Sequence, residues 1–134
     1  MIPAEKAGLA QLHRILVVED EVLVLVDTAD YLRGRGFDVV EATNADDALK
    51  VLAAGIPISL VFTDVNMPGS LDGLALAQYI RMNHPTIHVV VTSGHVKAGD
   101  VPQDIAPPIG KPYALHDIGT LFETLLASNA SQGT

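Results

Sequence analysis

The sequence predicts an α/β fold built on a doubly wound, five-stranded parallel sheet, and three observations carry that reading. Four short runs rich in β-branched residues recur along the chain: ILVV (15–18), DVVEA (38–42), ISLVF (58–62) and IHVVVT (87–92). Continuous apolar runs of this kind suit parallel strands covered on both faces. Helical periodicity fills most of the intervals, and strand alternating with helix implies right-handed crossovers. Chemically reactive residue types then gather at the ends of the runs, where such sheets bind ligands.

The elements follow in order. After the first run, Val22, Leu25, Ala29 and Leu32 share one helical face, with Gly34 and Gly36 as terminators. Asn44 is a cap candidate for a second helix with Ala45, Ala48, Leu49 and Leu52 on one side, ending before Gly55 and Pro57. Asp72 opens a third, in which Leu74, Ala77 and Ile80 align before Pro85. PPIG (107–110) is a weak fifth strand, confined to an edge by its two prolines. Leu115, Ile118, Leu121, Phe122 and Leu125 form the clearest amphipathic helix, whose outer side is a candidate homodimer face. Between 93 and 106 a fourth helix belongs, but Gly94, Gly99 and Pro102 interrupt the pattern, so that element is expected to be short or irregular.

Composition narrows the function. A chain of 134 residues, 49% of them hydrophobic, makes one core. We read 1–12 as an N-terminal extension, 13–128 as the domain and 129–134 as a tail. Eight Lys plus Arg against sixteen Asp plus Glu leave a net charge of −8, which repels nucleic acid and anionic lipid. Without cysteine there is no thiolate nucleophile or Cys-ligated zinc. No run approaches the ~20 residues of a membrane helix, and a cytoplasmic location is expected.

The stretch RILVVEDE (14–21) runs an apolar strand into three consecutive carboxylates. They either mark the polar start of a helix or hold a cation, and the two readings are compatible. Carboxylates about 4 Å apart repel by roughly 4 kcal/mol at an effective dielectric of 20, so a cluster needs a compensating cation. Oxygen ligands alone favour a hard ion, and Mg2+ fits best. Glu19 and Asp20 therefore read as a magnesium shelf, with Glu21 serving the first turn of the helix. Asp64 follows the third run, Thr92 and Ser93 the fourth, and Lys111 the fifth. His84 and His88 are interrupted by Pro85 and do not form a helical metal pair.

LVVEDE, VFTDVNMPG, VVVTSGH and GKPY, in this order, resemble the receiver domain of two-component response regulators over about residues 13 to 128. The resemblance implies a flavodoxin-like (βα)5 fold with strand order 2-1-3-4-5. It implies Asp64 as phosphoacceptor and Mg2+ held by Glu19, Asp20, Asp64 and the backbone carbonyl of Asn66. Thr92 would bond a phosphoryl oxygen, and Lys111, preceding a cis Pro112, would pair with the phosphate. The implied partners are a histidine kinase and a histidine phosphotransfer protein. One departure stands out: the position three before the lysine, aromatic in most receivers, is Pro108. His95, three past Thr92, is then a switch candidate beside Thr92 itself. Two alternatives are a degenerate receiver acting only as a binding module, and an Asp-nucleophile phosphatase, which usually needs an acid where Asn66 stands.

Overall fold

The computed structural model describes residues 13–65, 72–93 and 109–132. Five parallel strands, β1 (Arg14–Val18), β2 (Asp38–Ala42), β3 (Leu60–Asp64), β4 (His88–Ser93) and β5 (Ile109–Gly110), form one sheet in the order β2-β1-β3-β4-β5. The helices are α1 (Val22–Gly34), α2 (Ala45–Ala53), α3 (Gly73–Asn83) and α4 (Leu115–Gln132). The expected helix after β4 falls in 94–108, outside the described residues.

Alternation along each strand sends successive side chains to opposite faces. Leu16, Val18, Val61, Val89 and Val91 therefore pack with Ala45, Ala48 and Leu52 of α2 and Leu76, Ala77 and Ile80 of α3. Ile15, Val17, Leu60, Phe62 and Val90 face the other way, onto Leu25, Ala29 and Leu32 of α1 and Ile118, Phe122 and Leu126 of α4. Both sheet faces are thus covered, which is why the strands read as unbroken apolar runs.

Local signals set the helix ends. Asn44 Oδ1 accepts from Asp47 N–H at 2.7 Å, and Asp72 Oδ1 from Ala75 N–H at 2.8 Å, each meeting a donor left free by the first turn. Gly36 and Gly55, both at positive φ, turn the chain after α1 and α2.

Several expectations move. Val22 does not join the buried face of α1, being 58% exposed; Thr28 is buried there instead. On α3 Leu76 joins Ala77 and Ile80 as fully buried, while Leu74 packs at the margin. The third strand runs two residues further than its apolar run, through Thr63 to Asp64. Glu21 sits at the N-cap of α1 without a side-chain capping bond, so it is not part of the first turn.

At the amino ends of the strands, His13 Nδ1 lies 3.2 Å from Ser59 Oγ, and the buried Nε2 of His88 has no hydrogen-bond partner among the described residues. Burial lowers the pKa of both imidazoles, and for His88 the charges of Arg81 and His13 add to it. Below about pH 6.5 the unfolded chain therefore binds more protons than the native one, and stability falls until the native histidines titrate too. Urea midpoints at about pH 7.5 and pH 5.5 check this. The midpoint of His88→Leu is expected to drop less on acidification than that of the parent protein; parallel slopes would refute it.

Candidate functional site at the carboxyl ends of the strands

Strand register assembles the site. Val18 pairs with Thr63, so the residues that follow, Glu19 and Asp64, emerge side by side. Asp64 in turn pairs with Thr92, and Thr92 with Ile109, two residues before Lys111. Glu19, Asp64 and Thr92 are all buried, at 3%, 6% and 2% exposure, an unusual density of polar groups for a core edge.

What makes this burial tolerable is Lys111. Its Nζ donates to Glu19 Oε1 at 3.0 Å and to Asp64 Oδ2 at 2.8 Å. The second oxygen of Glu19 accepts from the backbone N–H of Glu21 at 3.1 Å. Burial raises the Glu19 pKa, against the lowering effects of the Glu21 N–H and of Lys111. Burial also works against the charge of Lys111, but hydrogen bonds to Asp64 and then Glu19 outweigh it and raise the lysine's pKa. The compensating cation that the acidic cluster demands is, in the protein itself, an ammonium group.

Asp20 is the most exposed of the three acids, and its carboxylate lies with those of Glu19 and Asp64 so that one oxygen from each falls within 4.8 Å of the others. Among the described residues this is the one such grouping. Three convergent carboxylates open on the solvent side fit a hard divalent ion. Asn66, the backbone ligand implied by resemblance, lies outside the described residues, as do His95 and Pro108. Thr92 does not point its donor at Asp64: its hydroxyl donates to the carbonyl of Ile109 at 2.9 Å. The Lys111–Pro112 bond is cis.

The backbone of Asp64 is clamped as firmly as its side chain. Thr63 Oγ1 donates to the Asp64 carbonyl at 2.9 Å, Val65 N–H to the Thr92 carbonyl at 2.9 Å, and Gly73 N–H to the Val65 carbonyl at 2.9 Å. A Cβ on Gly73 would stand 1.7 Å from that same Asp64 oxygen, so the start of α3 can rest on the strand end only as glycine. Asp72 is legible in the sequence as a cap, whereas the part played by Gly73 is not, a glycine directly after a capping Asp being the available signal.

Comparison with known proteins bears on this arrangement directly. The family model described as response regulator receiver domain matches residues 15–106. The chain belongs to the response regulator receiver domain family. It is 42% identical over 84 residues to the nitrogen assimilation regulatory protein NtrX of Azorhizobium caulinodans, covering 62% of this chain and 18% of that protein. Over 117 residues it is 32% identical to the sensor kinase CckA of Brucella abortus, covering 84% of this chain and 12% of that one. This receiver thus spans less than a fifth of either relative. Among solved structures it is similar to the receiver domain of NtrX from Brucella abortus, at 34% identity and a TM-score of 0.76, covering 84% of this chain and 98% of that one. A receiver domain protein from Methanospirillum hungatei, at 20% identity and a TM-score of 0.81 over 91% of this chain and 99% of that one, shares the fold.

Removing the ammonium while leaving both buried carboxylates strands their charge. Lys111→Met is therefore expected to destabilise the metal-free protein by roughly 3 kcal/mol, the low end for breaking a buried pair because the lysine side chain keeps 24% exposure. Urea unfolding in EDTA checks this, and millimolar Mg2+ is expected to return part of the loss. An unchanged midpoint in EDTA would contradict it.

Proposed function

We propose that this receiver takes a phosphoryl group on Asp64 from a phosphohistidine of a partner kinase or phosphotransfer protein, and that the acyl phosphate is its signalling state. The observation that carries the reading is Lys111, whose ammonium lies 2.8 Å from Asp64 Oδ2 and beside Glu19. In the transfer, a carboxylate oxygen of Asp64 bonds to phosphorus, the phosphorus–nitrogen bond of the donor breaks, and the imidazole leaves with its electron pair. An ionised carboxylate needs no general base. Lys111 is positioned to follow the charge that spreads over the equatorial oxygens, which supports electrostatic stabilisation as its role.

Mg2+, held by Glu19, Asp20, Asp64 and the backbone carbonyl of Asn66, would screen the incoming phosphoryl charge. Thr92 is the first element of the switch: its hydroxyl exchanges the Ile109 carbonyl for a phosphoryl oxygen, loosening the tie between β4 and β5. With Pro108 in place of an aromatic, His95 and the segment behind it carry the readout. The apolar side chains of Val22, Leu23 and Val26, exposed by 58%, 81% and 38%, stand on α1 just past the acidic pair and favour a protein partner there. Net charge argues against nucleic acid, and the chemistry belongs to the cytoplasm, where such donors operate.

Incubation with Mg2+ and acetyl phosphate, followed by mass spectrometry of the intact protein, tests the reading. A labile gain of one phosphoryl group, absent in Asp64→Asn, is expected. Turnover of the donor without an adduct would instead make the protein a phosphatase, and no change at all would make it a phosphorylation-independent binding module.

A further inference from the structure

The reactive ammonium sits on weak support. β5 is two residues long, and from Gly110 to Ala114 the chain runs along the surface, with Gly110, Pro112 and Ala114 exposed. In that stretch the side chain that enters the core is Tyr113. Its ring stands edge-on to Phe62, two residues before Asp64, with centroids 5.5 Å apart and planes at 67°. Its hydroxyl lies 3.3 Å from the hydroxyl of Thr28, a residue of α1 that is 1% exposed. Among the described residues, a cleft of about 440 Å3 bounded by Glu21, Val24, Asp27 and Lys111 adjoins the ring.

We infer that Tyr113 is a positioning residue for Lys111. The ring on Phe62 and the hydroxyl pair with Thr28 together fix the loop that carries the ammonium to Asp64 and Glu19, and so tie phosphoryl uptake to α1. Two anchors with different chemistry are separable by substitution. Tyr113→Leu removes both, while Tyr113→Phe and Thr28→Val each remove the hydroxyl pair and keep the packing. Because they break one interaction from its two ends, the Phe and Val changes are expected to be non-additive. A small displacement of Lys111 reaches the reaction because orientation at an attacking oxygen is worth orders of magnitude in rate.

The inference rests on the phosphoacceptor reading, and two measurements keep their failures apart. First, the rate of phosphoryl uptake from acetyl phosphate at saturating Mg2+ is expected to fall about tenfold in Tyr113→Leu and a few-fold in Tyr113→Phe and in Thr28→Val. The double variant is expected to be no slower than either single, with Mg2+ affinity held within about twofold throughout. A purely structural tyrosine would lower the melting temperature and leave the rate per folded molecule unchanged, which would overturn the inference. Second, and independent of any phosphoryl chemistry, the drop in urea midpoint caused by Tyr113→Leu is expected to be smaller in a Lys111→Met background, since the ring packing on Phe62 is lost in both but the ion triplet is there to be loosened only in the parent. An equal drop in both backgrounds would overturn the inference even if Asp64 accepts phosphate. Loss of uptake in the parent protein alongside a retained stability coupling would sink the phosphoacceptor reading and leave Tyr113 as the positioner of Lys111.

Discussion

One ammonium shared by two buried carboxylates governs the rim of this sheet. Glu19 and Asp64 are delivered to adjacent strand ends by the register of β1 and β3, and each is almost wholly withdrawn from water. Left alone, such a pair would neutralise by protonation or push the strands apart. Lys111 at 3.0 and 2.8 Å makes it a hydrogen-bonded ion triplet, and the remaining Glu19 oxygen is satisfied by a backbone N–H. A buried arrangement of this kind adds little net stability compared with apolar packing, while removing any one member leaves the others uncompensated.

The fold pays for that rim with its two faces. Alternate strand residues feed two separate apolar layers, so the sheet is held from both sides and its carboxyl edge need contribute nothing to the core. Rigid strand ends then place acid, acid, hydroxyl and amine in one row, while α3 presses on Asp64 through Gly73 and α1 reaches Tyr113 through Thr28.

Much of this was legible beforehand, because parallel strands buried on both faces announce themselves as apolar runs and capping residues such as Asn44 and Asp72 announce helix starts. Strand order came from the motifs jointly, not from any one run. The apolar run of the third strand lies two residues ahead of the strand itself because Ile58, though buried, precedes the ladder, and because a strand that ends on Thr63 and Asp64 looks like a loop by composition. Val22 misled for a related reason: periodicity finds a face but not its first residue, and here the helix turns Val22 outward. The acidic cluster announces the need for a cation and reads as a site for Mg2+; that the Lys111 ammonium meets it in the folded chain is not legible, since no sequence spacing links Lys111 to Glu19 across 92 positions. Contacts such as Gly73 on Asp64, or Thr28 with Tyr113, exist only once the chain is folded.

The shared ammonium can be observed directly by proton–nitrogen NMR of the lysine Nζ groups in the metal-free protein at neutral pH. Lys111 should give a resonance protected from exchange with water, displaced in both Glu19→Gln and Asp64→Asn, unlike the solvent-facing Lys50, whose side chain is 82% exposed. A Lys111 signal exchanging as fast as that of Lys50, or indifferent to either substitution, would contradict the account.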